Sequence, residues 1–103
     1  VTEGPDRDTG VQPVVEVVGR VVVVRPADEI DIATAPSLSR ALDQAITHVR
    51  ASRADRIVTD CSRVTFCDSS GINALLAARL KAVRAGTTIH LTNPAPQLQR
   101  RCT

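Results

Sequence analysis

The chain has no methionine, tryptophan or tyrosine, and Phe66 is its one aromatic side chain. Without rings to stack bases, and with a formal net charge of only +2, nucleic-acid binding has no support. No apolar run approaches the roughly 20 residues that a membrane-spanning helix needs. The polar N-terminus, bearing Pro and Gly, does not read as a secretory signal. The expected setting is the cytoplasm, with no membrane partner. Cysteine is also sparse. Cys61, Cys67 and Cys102 are too few and too irregular for a disulfide scaffold, and no Cys-x-x-Cys occurs. His48 and His90 stand at no ligand spacing to them, so neither a metal site nor a cofactor is expected. Also missing are a Gly-x-x-x-x-Gly-Lys phosphate loop and a Gly-x-Ser-x-Gly nucleophile elbow. A hydrolase would need a histidine base, but His48 falls late in a helix and His90 within a strand.

What is present suits one small globular domain. The 103 residues are 43% hydrophobic and 23% charged, and Val, Ala and Leu supply nearly all the core. Such a length buries roughly two-thirds of its unfolded surface. Residues 1–12 have no apolar period and read as a flexible leader, and residues 13–103 read as the domain. Val14 to Val18 and Val21 to Arg25 are β-branched runs joined at Gly19-Arg20, a two-residue hairpin. The second run is nearly all Val, which suggests a strand covered on both faces.

A helix is expected from Thr34 or Ala35, with Pro36 in its first turn and Leu38, Ala41, Leu42, Ala45, Ile46 and Val49 as its stripe. Ile57 to Cys61 reads as the next strand. The second helix, Ser69 to about Arg84, carries Ile72, Leu75, Leu76, Leu80 and Val83 on one face and stops at Gly86. Thr87 to Thr92 alternates as a short strand. Asn93-Pro94-Ala95-Pro96 then opens a last helix, short or truncated, with Leu98 on its buried side. Strands and helices alternating at this spacing make an α/β domain, an N-terminal hairpin followed by largely parallel strands.

The stretch Val64-Thr65-Phe66-Cys67-Asp68-Ser69-Ser70-Gly71-Ile72 carries the strongest functional signal. An apolar segment runs into small polar residues and then directly into a helical pattern. Asp68 suits the N-cap, its carboxylate accepting from the backbone N–H of Ser70 or Gly71. Ser69 and Ser70 then take the first two helical positions, and Gly71 lets another part of the chain come close. This geometry would present a hydroxyl at the positive end of a helix dipole, beside a fixed carboxylate.

Together with Asp28-Glu29-Ile30-Asp31-Ile32-Ala33-Thr34-Ala35-Pro36 and Thr92-Asn93-Pro94-Ala95-Pro96, this stretch resembles the STAS domain of bacterial anti-sigma factor antagonists. The resemblance runs from about Val14 to the end, and its most specific part is Asp-Ser-Ser-Gly. It implies a small STAS-like α/β fold and a partner-switching protein in place of an enzyme. The implied partner is an anti-sigma factor, a serine kinase of the histidine-kinase-like ATPase fold, bound by the unphosphorylated domain so that a sigma factor is freed. Ser69 is the implied phosphorylation site, and a phosphatase reverses the modification. The implied contact surface comprises Glu29, Asp31, Thr34, Asp68, Ser69, Ser70, Gly71 and Asn73, on a monomer. One departure is Asp28, where the family usually has glycine. Other STAS roles (a stressosome subunit, a lipid-transport accessory, a nucleotide-binding module) share the fold, and the retained serine favours the switch. Cys102, on the last helix, could pair reversibly with Cys67 or Cys61 and so gate partner binding.

Overall fold

The computed structural model describes residues 13–93. The leader expected over residues 1–12, the last helix with Leu98, and Cys102 lie outside the described residues. β1 (Val14–Val18) and β2 (Val21–Arg25) form the antiparallel hairpin, with Val18 opposite Val21. Gly19 holds φ at +63° in the first central position of the turn, the conformation that a type II′ hairpin demands. Parallel pairing of β2 with β4 (Arg56–Asp60), and of β4 with β6 (Ile89–Thr92), completes a sheet of order β1-β2-β4-β6. This is the mixed α/β arrangement expected of the sequence.

A second, two-stranded parallel sheet joins β3 (Ala27–Ile30) to β5 (Arg63–Cys67). Its register slips between Asp28 and Glu29, and Asp28 takes φ +63°. The position where the family resemblance leads one to expect glycine is thus a left-handed one, which aspartate adopts at modest cost.

α1 (Ala35–Arg50) and α2 (Ser69–Arg84) pack on each other and on the sheet face that carries Val22, Val24 and Ile57. The α1 stripe is as expected: Leu38, Ala41, Leu42, Ala45 and Ile46 are buried, with Val49 packed at the edge. Full burial of a leucine such as Leu42 is worth about 1.5–3 kcal/mol. Both helices end in a Schellman motif. In α2 the N–H of Thr87 donates to Ala82 O at 2.9 Å and that of Gly86 to Val83 O at 3.0 Å. In α1 the N–H of Arg53 donates to His48 O and that of Ser52 to Val49 O, each at 3.0 Å.

Two expectations need correction. Strand β2 has one buried face, Val22 and Val24, while Val21, Val23 and Arg25 on the other face are half-buried. Both described helices lie on the first face, so the valine run reflects β-propensity as much as burial. The second correction concerns α2. Ile72 and Leu75 are buried as expected, but Leu76, Leu80 and Val83 are exposed. The core instead receives Gly71, Ala78 and Ala82. Small side chains on that face let α2 lie close against α1 and the sheet, and this turns the larger aliphatics outward.

Candidate functional site

Two loops leave the small β3–β5 sheet side by side. Ile30 pairs with Cys67 in register, and the N–H of Asp68 donates to Ile30 O at 3.0 Å. The chain after β3 and the chain after β5 therefore emerge from one edge, and their order in space follows from strand pairing.

In the second loop, Asp68 is the N-cap of α2. Its Oδ1 accepts from Ser70 N at 2.8 Å and from Gly71 N at 3.3 Å, so both expected donors are used. Capping of this kind stabilises a helix by about 1 kcal/mol. Ser69 opens the helix and is exposed, Ser70 is half-buried, and Asn73 is exposed one turn further on. The Ser69 hydroxyl makes no hydrogen bond among the described residues. Nothing in its surroundings prepares it as a nucleophile, since the neighbouring carboxylate is engaged by backbone donors.

Gly71 is buried and sets the approach of this helix end. A Cβ built on it would sit 2.5 Å from Ile30 Cγ2 and 2.6 Å from Cys67 Sγ. The close neighbours are thus side chains of β3 and β5. Glycine here lets the helix start drop onto the strands and so fixes the height at which Ser69 is presented.

The first loop is built differently. Asp31 Oδ1 accepts from Ala33 N at 3.0 Å and from Thr34 N at 3.1 Å. Thr34 Oγ1 accepts from Asp31 N at 2.9 Å and donates to Glu29 O at 3.0 Å. Asp31 O also takes the N–H of Ala35 at 2.7 Å, which starts α1. Asp31 and Thr34 therefore close the turn on itself. Glu29 is exposed, and its carboxylate makes no hydrogen bond or ion pair among the described residues. Ile32 stands 80% exposed on the same turn, an apolar side chain between Asp31 and Ala33 that sequence reasoning passed over. A cavity of about 280 Å³ beside this loop is lined in part by Asp28, Glu29, Asp31 and Ser37. Among the described residues no cluster of His, Cys, Asp or Glu could hold a metal ion.

Of the expected thiols, Cys61 and Cys67 are buried in the core, each 2% exposed. Cys67 Sγ lies 3.6 Å from Asp68 O, directly under the second loop. No described helix is long and apolar enough to cross a membrane.

The fold is shared by solved proteins. The anti-sigma factor antagonist SpoIIAA in its unphosphorylated form is 23% identical, with a TM-score of 0.69 over 86% of this chain and 79% of that one. The Bacillus cell fate determinant SpoIIAA in its phosphorylated form is 22% identical, with a TM-score of 0.67 over 86% of this chain and 78% of that one. An anti-sigma factor antagonist from Mycobacterium paratuberculosis is 33% identical, with a TM-score of 0.63 over 88% of this chain and 75% of that one. No curated protein matches the sequence. The STAS domain family model matches residues 12–103, the hairpin and both loops included, and the chain belongs to that family.

Proposed function

We propose that this STAS domain is an anti-sigma factor antagonist controlled by phosphorylation of Ser69. In its unphosphorylated state it binds an anti-sigma factor, a serine kinase of the histidine-kinase-like ATPase fold, and so releases a sigma factor in the cytoplasm. The kinase transfers phosphate to Ser69 and the complex comes apart; a phosphatase resets the domain. The observation that carries this reading is the exposed hydroxyl of Ser69 at the first turn of α2, unengaged among the described residues. The 33% identity with the mycobacterial antagonist supports the same class.

The chemistry agrees with a substrate serine. Ser69 has no base of its own, so the partner supplies base and magnesium. A phosphate at this helix start gains about 0.3–2 kcal/mol from the dipole, and the fold survives modification. The same charge meets an acidic group of the partner at about 5 Å with roughly 3 kcal/mol of repulsion per unit charge, at an effective dielectric near 20. That is a loss of about a hundredfold in affinity. Glu29, Asn73 and the backbone around Ser70 and Gly71 form the rest of the contact surface, while Asp31, Thr34 and Asp68 hold the loops that present it.

A pull-down from native lysate with wild-type, Ser69→Ala and Ser69→Glu baits tests the switch. The anti-sigma factor is expected on the first two and lost from the third. Equal capture by all three removes the charge argument. Intact mass after incubation with the captured kinase and ATP locates the phosphate, and a gain that persists in Ser69→Ala assigns it elsewhere. A reversible disulfide from Cys102 to Cys67 or Cys61, formed with loss of two electrons to an oxidant such as glutathione disulfide, is the redox arm of the proposal. Thiol alkylation and partner affinity, each measured under oxidant and reductant, decide it: unchanged values end the idea.

A further inference from the structure

The exposed apolar side chains of α2 follow a line that begins at the serine. Ser69, Asn73, Leu76, Leu80 and Val83 recur at intervals of four, three, four and three, which places them on one helical face. Leu80 is 54% and Val83 59% exposed, beside Leu76 at 44%. The edges of this ridge are cationic. Arg79 and Arg84 are exposed and form no ion pair among the described residues. Past Arg84 lies a groove of about 330 Å³ between α1 and α2, to which Arg50, Lys81 and Arg84 contribute. Its one carboxylate, Asp43, is held by Lys81 at 3.2 Å, so Arg50 and Arg84 leave the groove positive.

We infer that the Leu76–Leu80–Val83 ridge is a docking surface for an amphipathic helix of the partner protein, apolar at i, i+4 and i+7 and acidic along its flanks. That the helix belongs to the protein acting on Ser69 rests on the function proposed above; the surface itself does not. Charge selects this occupant. An apolar strip between arginines complements a strip between carboxylates. A second copy of the chain, laid antiparallel on the ridge, would bring Arg79 against Arg79. A bilayer is poorly served by three aliphatic side chains with no aromatic anchor. The ridge also runs straight from Ser69, so one partner surface can cover both and gain affinity from the ridge while its active site addresses the serine.

Two measurements test this on the full chain. The first titrates a synthetic helical peptide, leucine at i, i+4 and i+7 with flanking glutamates, into the isotope-labelled protein. Chemical shifts should move at Leu76, Arg79, Leu80, Val83 and Arg84, and Leu80→Glu or Arg84→Glu should weaken binding about tenfold. Absence of shifts, shifts on the open face of the sheet, or a nuclear Overhauser contact of Leu98 with Leu80 in the free protein overturns the inference. So does sedimentation as a dimer that Leu80→Glu abolishes, or binding to phosphatidylserine vesicles that the same substitution abolishes. The second uses the anti-sigma factor recovered on the wild-type bait. Leu80→Glu should raise its Kd about tenfold and raise KM for phosphorylation of Ser69 with kcat unchanged; equal affinity overturns the shared-partner claim. If capture is indifferent to Ser69→Glu while the peptide still titrates the ridge, the switch has failed and the docking surface stands.

Discussion

The loops after β3 and β5 lie at one edge of the same small sheet, yet they use their polar atoms in opposite ways. The first is closed by its own side chains: Asp31 and Thr34 exchange hydrogen bonds with each other's backbone and with Glu29, so that Asp31 Oδ1 and the Thr34 hydroxyl are engaged within the turn. The second is held by one carboxylate below it and one missing side chain within it, Asp68 and Gly71, and this leaves the Ser69 hydroxyl without a hydrogen bond among the described residues. On the proposed contact surface, a residue's place and its contribution to affinity are therefore separable. Changes in the first loop should be felt as stability, and changes at the tip of the second as affinity.

The largest contrast is expected from Ser69→Glu. Capture of the anti-sigma factor should fall about a hundredfold while the melting temperature stays put; a fall in both would merge the two kinds of loop. Next comes Gly71→Ala, whose methyl group has no room between Ile30 and Cys67. Overpacking there should cost about 1–3 kcal/mol in denaturant titration. Asp31→Ala removes the acceptor for two backbone N–H groups and should cost about 1–2 kcal/mol. If that variant melts normally but no longer captures the partner, Asp31 is a contact residue and the distinction drawn here collapses. Asp28→Gly, at a φ of +63°, should stabilise the first loop by about 0.5–1 kcal/mol, read as a rise in melting temperature.

The smallest effect lies away from both loops. Arg20 forms a bidentate pair with Asp55, at 2.8 and 3.2 Å, and ties the hairpin turn to the strand entering the sheet. The hydrogen bond from Arg20 holds the Asp55 carboxyl below its ordinary value. Its stabilising contribution is thus complete above the unfolded value near 3.9 and fades as pH falls through the lower folded value. Asp55→Asn should flatten the acid limb of a stability–pH curve slightly, because both partners are exposed.

Local chemistry was the legible part of the sequence. Gly19-Arg20 marked a hairpin, Pro36 and the leucine stripe marked α1, and Asp68 with Gly86 bounded α2, each through contacts within a few residues. Strand β3 was not legible as a strand. Ala27 to Ile30 is four residues long, carries two carboxylates, and pairs with a segment 36 to 37 positions away. The α2 ridge misled for a related reason. Large aliphatics at helical spacing look like core, and only the packing of Gly71, Ala78 and Ala82 against α1 and the strands turns them outward.

The amino-acid order alone determined the hairpin, the two long helices with their ends, and which carboxylate caps the helix that begins at Ser69, because those choices rest on near neighbours. Tertiary structure decided that the two loops share an edge, that Gly71 must be bare, and which face of α2 meets water. These depend on groups far apart in sequence competing for the same space, and no local pattern encodes the outcome.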